Sequence, residues 1–270
     1  MDRAGKAGVS LLVLSDHDSV SGFPEGEAAA RGAALDLRCG VEINTREGEN
    51  VHVLGYGIRW RDPALEEALA ELRRRRVRRL EAVLAKLKDC GVDLSLAEVR
   101  GDSPAPPAVG GRPASSGPAS PGSPESLGRA HVADALKRKG VVPNRAEAFR
   151  RFLAAGRPAY VGSLGPSAAE AIALIRAAGG FAAIAHPGTV ADLGVLESWV
   201  REGLEGIEVF YAGHSPSDIR RFQDLAARFG LIVTGGSDYH GRGSGRDGPL
   251  GVEVPDGVAE RFLERLSRCG

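Results

Sequence analysis

The chain has 270 residues, 43% hydrophobic and 26% charged, with Lys+Arg and Asp+Glu both at 35. This length suits one large domain or a domain carrying an inserted subdomain, and zero net charge excludes a general electrostatic grip on nucleic acid or membrane. Cys39, Cys90 and Cys269 form no Cys-x-x-Cys pair, and their odd number argues against a disulfide framework, so a reducing, cytoplasmic setting is expected; with no secretory h-region and no run near ~20 apolar residues, neither a signal sequence nor a membrane span is expected.

Val9 to Leu14 is a short aliphatic run that predicts a strand buried on both faces, as in parallel sheets. An Ala-rich helix follows over Glu25 to Ala34. Arg38 to Asn44 and Asn50 to Gly57 read as strands, and "NTREGEN" between them as a hairpin loop, which makes that pair antiparallel. Pro63 to Cys90 is the clearest helix: Pro63 suits a first helical position, Leu65, Leu69, Leu72, Val77, Leu80, Leu84 and Leu87 repeat every three or four residues, and Gly91 supplies a stop. The arginines at 73–76, 78 and 79 read first as a solvated face and second as a phosphate-attracting wall. Residues 101–127, rich in Pro, Ser and Gly, are expected to be disordered, because such a composition buries too little apolar surface to offset chain entropy. Helices resume at Arg129 to Arg138 and Ala146 to Ala155. Beyond them helix and strand alternate: Pro166–Ala178, Phe181–Ala185, Leu193–Arg201, Gly206–Phe210, Pro216–Phe229, Leu231–Thr234 and Val258–Leu266. Such repetition implies a largely parallel α/β sheet, open or closed into a barrel. The expected division is a barrel domain over 1–62 and 156–270 and a helical insert over 63–155.

The placement of the histidines carries the chemical signal. His17 follows the first strand, His186 follows Phe181–Ala185 in "AIAHPG", and Asp238 and His240 follow Leu231–Thr234 in "TGGSDYHG". Catalysts and ligands gather at the carboxyl ends of parallel strands, where loops are free and strands fix them. Glu42 alternates between Val41 and Ile43, and His52 between Val51 and Val53. A buried strand does not accept a lone carboxylate or imidazole without a partner, and a shared metal ion would serve both. Imidazole and carboxylate suit zinc, manganese or iron. With no thiolate in these motifs, a hydrolytic metal centre is expected rather than a structural zinc knuckle.

Taken together, these motifs resemble the polymerase-and-histidinol-phosphatase (PHP) superfamily of metal-dependent phosphoesterases, and within it the subgroup of nucleoside 3′,5′-bisphosphate phosphatases and 5′-to-3′ exoribonucleases. The resemblance rests on "SDHDSVSG", "GVEINT", "VHVLGYGI", "LGRAHVADAL", "GRPAYV", "AHPG", "GIEVFYAGHSP" and "GGSDYHG", spread over nearly the whole chain. It implies a distorted (β/α)7-type barrel, here lacking its first strand, with a small helical insertion. It implies metal ligation by His17, Glu42, His52, His186, Asp238 and His240, with Glu42 bridging. It implies substrate-phosphate contacts from Arg129 and His131, with His214 as a further substrate contact. Asp16, His17, Asp238 and His240 are the expected catalytic group. Asp16 and Asp18 flank His17, where they would orient it or cap the following turn.

Members of that superfamily begin with a strand ending in His-x-His, followed by an Asp. This chain aligns from the next helix onward, so that strand and three ligands are expected to lie outside these residues, through a misplaced start or a truncated gene in preference to true loss. The remaining set would keep one metal position, that of His52, His186 and Glu42, complete. The expected activity is hydrolysis of phosphomonoesters on small nucleotides or at the 5′ ends of short RNA, with no obligate protein partner. A catalytically impaired metal- or nucleotide-binding fragment and a histidinol-phosphatase-like enzyme are the alternatives.

Overall fold

The structure, a computed structural model, describes residues 1–32, 35–48, 50–101, 127–241 and 248–269. Almost all of the Pro/Ser/Gly-rich segment expected to be disordered lies outside the described residues. The chain divides into two compact units, one formed by Met1–Glu71 with Gly165–Gly270 and the other by Leu72–Leu164.

The first unit is a mixed α/β layer built on six strands in the order β1-β2-β3-β4-β5-β6: Leu11–Leu14, Asp36–Asn44, His52–Tyr56, Phe181–Ile184, Gly206–Tyr211 and Ile232–Gly236. β1 pairs parallel with β2, and β4, β5 and β6 pair parallel in turn. β3 is antiparallel to both β2 and β4, so it alone is reversed. The hairpin between β2 and β3 agrees with the sequence expectation; the second antiparallel pairing, β3 with β4, breaks the expected run of parallel strands. β1 also differs from expectation, being half-buried along its length, because in this sheet it is an edge strand.

Helices α1 (Asp2–Lys6), α2 (Phe23–Ala30), α7 (Ala168–Ala177), α8 (Leu196–Arg201), α9 (Pro216–Phe229) and α10 (Asp256–Leu266) complete this unit. α2 ends at Ala30, short of the expected Ala34, where Arg31 turns extended. Local chemistry sets α9: Ser215 accepts from the Asp218 N–H, Asp218 reaches back to Ser215, Pro216 takes a first-turn position, and Gly230 closes the helix at φ +65°. Under the sheet, Phe181 is fully buried and packs between Tyr56 and Phe262 at ring separations of 5.3 and 5.7 Å.

α3 (Pro63–Asp89) begins in the first unit and continues into the second. The Asp62 carboxylate accepts from the Ala64 and Leu65 N–H groups at 2.9 and 3.2 Å, which caps it. The second unit adds α4 (Leu96–Arg100), α5 (Arg129–Arg138) and α6 (Arg145–Ala148), the last running on into a π-helical turn at Phe149–Leu153. Its core gathers Leu80, Leu87, Val99, Val132, Leu136 and Leu153. The apolar spacing along α3 is thus realised as a buried stripe, while Arg79, half-buried, donates to the Val161 carbonyl at 3.0 Å.

Candidate metal centre

Because β3 runs opposite to its neighbours, its amino-terminal end lies with the carboxyl ends of the other five strands. His52 opens β3 and therefore reaches the same end of the sheet as His17, His186 and Asp238. β2 is buried on both faces there: Val41 and Ile43 are fully enclosed, and Glu42 is only 5% exposed. Backbone pairing carries on past β1, with a bridge between His17 and Glu42, a bond from the Glu42 N–H to the Asp16 carbonyl (3.1 Å) and one from the Asp18 N–H to the Glu42 carbonyl (2.9 Å).

Glu42 is the hub. Its Oε1 lies 2.6 Å from His52 Nδ1 and 3.3 Å from His186 Nε2, and its Oε2 lies 3.4 Å from His17 Nδ1. His52 Nδ1 and His186 Nε2 are themselves 3.1 Å apart. Burial opposes ionisation of Glu42, but the His17 charge and the hydrogen bonds from His186 and His52 outweigh it and hold the carboxyl well below its usual range. His186 is raised: burial favours its neutral ring, and the hydrogen bond and charge of Glu42 overcome that, with Glu208 and Asp238 contributing.

The Thr189 hydroxyl lies 3.0 Å from both the His186 carbonyl and His186 Nδ1. The bond of His186 to Glu42 runs through the other ring nitrogen, Nε2, and a metal ion held there would take the place of its proton. The ligand atoms of His17, Glu42 and His52 lie within 4.8 Å of one another. A carboxylate ringed by imidazole nitrogens on a rigid strand end is a donor set that fits a borderline-to-hard divalent cation.

Asp238 and His240 lie beside this cluster. His240 Nε2 is 3.5 Å from His17 Nε2, His240 Nδ1 is 3.2 Å from Asp238 Oδ1, and the Tyr211 hydroxyl donates to Asp238 Oδ2 at 3.3 Å. Asp16 is exposed. Asp18 is buried, holds φ +49° and accepts from the Asn44 N–H at 3.4 Å. His214 is engaged through both ring nitrogens, Nδ1 donating to the Val209 carbonyl at 2.9 Å and Nε2 accepting from the Gly188 N–H at 3.3 Å.

Arg129 and His131 belong to the second unit. Arg129 stands over the rings of Phe149 and Tyr160 and donates to the Leu153 carbonyl at 3.3 Å. His131 Nδ1 accepts from the Gly128 N–H at 3.1 Å, which leaves the proton on Nε2. The residue is exposed, yet desolvation around its ring lowers its pKa, with Arg145, Arg76 and Arg138 acting in the same direction against the pull of Asp134.

One buried acid was not singled out among the sequence candidates. Glu208, in β5, is 4% exposed and its Oε2 accepts from the His186 N–H at 2.7 Å. Its carboxyl is pushed up to about 8, chiefly by burial. The signal was in the sequence: Glu208 alternates with Ile207 and Val209 just as Glu42 does with Val41 and Ile43.

The chain is 33% identical to a 3′,5′-nucleoside bisphosphate phosphatase of Chromobacterium violaceum over 254 residues, covering 91% of this chain and 82% of that protein. It is 31% identical to a 5′-3′ exoribonuclease of Haemophilus influenzae, with 88% and 82% covered. Among solved structures, it superposes with a TM-score of 0.80 on a Chromobacterium violaceum protein described as an amidohydrolase with bound sulfate and no metal, at 30% identity over 99% of this chain and 89% of that one. A Bifidobacterium adolescentis protein described as a metal-dependent phosphoesterase gives a TM-score of 0.78 at 28% identity, covering 100% and 89%. No family model matches the chain. Fold, donor set and kinship together define a metal-dependent phosphoesterase of the PHP superfamily. Within it, the chain belongs to the family of the nucleoside 3′,5′-bisphosphate phosphatases and 5′-3′ exoribonucleases.

Proposed function

We propose that the chain hydrolyses phosphomonoesters of small nucleotides, 3′,5′-bisphosphonucleosides among them, or acts at the 5′ ends of short RNA. The observation that carries this is the Glu42 carboxylate gripped by His17, His52 and His186 at the strand ends of a phosphoesterase fold. In this reading His17, Glu42, His52, His186, Asp238 and His240 hold divalent manganese, zinc or iron. Such an ion supplies Lewis acidity to the phosphoryl group and acidifies water.

The protein's own groups do the rest. Glu42, ionised in its buried setting, keeps the three imidazoles oriented. Asp238 holds His240 through the ring Nδ1, and the His240 ring faces His17. Asp16, beside His17 in the segment that follows β1, is the remaining member of the catalytic group. Arg129 offers a planar fork and His131 an Nε2–H, two donors matched to a second phosphate on the substrate. His214, with both ring nitrogens bonded within the protein, stays the further substrate contact of this reading. The six-stranded sheet is read as part of a distorted (β/α)7-type barrel, residues 63–155 as its helical insert, and the cytoplasm as the setting that suits three free cysteines. No helix among the described residues is long and apolar enough to cross a membrane.

The test is phosphate release from a 3′,5′-bisphosphonucleoside, and nucleotide release from 5′-phosphorylated short RNA, with each of the three metals in turn. Turnover that a chelator abolishes is expected. Metal binding without turnover on either substrate would overturn the hydrolase reading and leave a metal- and nucleotide-binding protein.

A further inference from the structure

His186 sits in an unfavourable backbone state. Its φ of +28° and ψ of +58° fall in the left-handed region, which a side chain bearing a Cβ rarely occupies. Such a conformation persists only where surrounding contacts over-determine it. Two of those contacts come from one strand and the loop that follows it. Glu208, in the middle of β5, accepts the His186 N–H at 2.7 Å through Oε2. His214, three residues past the end of β5, accepts the Gly188 N–H through Nε2 while its Nδ1–H is tied back to the Val209 carbonyl.

Each contact is built tightly. Glu208 is buried, and Gly236 gives it room: a Cβ there would come within 2.8 Å of Glu208 Oε1. The His214 ring is packed between Tyr211 and Phe222 at 5.0 and 4.8 Å. Gly188 lies so close that a Cβ would meet the His214 ring at 3.1 Å. The turn 186–188 is thus gripped at its first and third residues by groups anchored to the neighbouring strand. The imidazole between these grips is the one whose Nε2 must meet Glu42 and His52.

We infer that Glu208 and His214 are positioning residues that clamp the strained His186–Gly188 turn and thereby set the His186 imidazole as a metal ligand. This rests on the reading of His186 as a ligand, and the experiment separates the two. Cobalt(II) affinity is measured by titration calorimetry on the wild type, Glu208→Ala, Glu208→Gln, His214→Phe, His186→Ala and the double variants with His186→Ala. Outer groups that orient a ligand are worth about 10–100-fold in metal affinity. Glu208→Ala and His214→Phe should each weaken binding by that order, Glu208→Gln should recover much of it by keeping an acceptor oxygen, and neither loss should add to that of His186→Ala. A merely structural role would leave the affinity of the folded protein intact or lower it independently of His186. Should Glu208→Ala fail to fold, His214→Phe, whose ring preserves the packing against Tyr211 and Phe222, decides the question. Unchanged affinity in Glu208→Ala and His214→Phe beside a large loss in His186→Ala would overturn the clamp. Unchanged affinity in His186→Ala would instead overturn the ligand reading.

Discussion

Glu42 and His52 meet at 2.6 Å although they are not cross-strand partners: in the β2–β3 ladder Glu42 faces Leu54 and His52 faces Asn44. They are diagonal neighbours on one face, a separation that long side chains bridge. Three imidazoles with different chain neighbours, His17, His52 and His186, therefore converge on a single carboxylate, and its charge state governs them all.

Replacing that carboxylate tests the centre directly. Glu42→Gln keeps the shape of the side chain and removes the charge that His17, His52 and His186 surround. Its metal affinity should fall by more than the ~10–100-fold that a supporting group is worth, and phosphate release should fall with it. Metal content after dialysis checks this, and a wild-type content would remove Glu42 from the ligand set.

The metal-free chain should lose stability as pH rises through neutrality. Burial moves the Glu208 carboxyl from 4.5 to about 8, so the folded form keeps a proton that the unfolded chain releases above 4.5. Its contribution is full below 4.5 and is lost on the way to 8. His186, raised above 6.5 against the effect of burial by the Glu42 bond, adds a share of the same sign that is lost as pH rises through its folded value. Glu42, depressed below 4.5, contributes stability that is present above 4.5 and lost only as pH falls through its lower folded value. Thermal midpoints from about pH 5 to about pH 9 should therefore fall, and Glu208→Gln should flatten the slope below neutrality. A profile that rises over this range would contradict both assignments.

Arg129→Ala should damage substrate binding and spare the metal. A hydrogen bond to a charged group is worth about 1.5–3 kcal/mol, so KM for a 3′,5′-bisphosphonucleoside should rise by roughly 10–100-fold. The replacement also removes contacts with Phe149 and Tyr160, for which Arg129→Lys provides a control. Metal content should stay at the wild-type level, and a large drop would make Arg129 a structural residue.

Phe181→Ala should be among the costliest core substitutions. The ring is fully buried against Tyr56 and Phe262, and emptying such a site costs about 3–5 kcal/mol. Urea denaturation of the metal-free protein measures it; a loss under about 1 kcal/mol would mean that the sheet collapses around the gap.

Much of the first unit was legible in the sequence because its signals are local. Aliphatic runs ending in His or Asp marked β1, β4 and β6 together with the residues that follow them. Leucines at three- and four-residue spacing marked α3, and the helix expected over Pro216–Phe229 is α9. Alternation in "GVEINT" pointed to Glu42 as a carboxylate inside a buried strand, and "VHVLGYGI" did the same for His52.

What the sequence determined by itself is therefore the identity of the donor residues and the elements that bear them, since both depend on periodicity over a few residues. The tertiary structure alone decided how those donors meet. Pairing of β3 with β4 joins residues about 130 apart in the chain, and it is the reversal of β3 that brings His52 to the end of the sheet where its neighbours finish. The grip of Glu208 and His214 on the turn after β4 was equally hidden, because strand periodicity gives the face of a side chain and carries no information about which strand lies alongside.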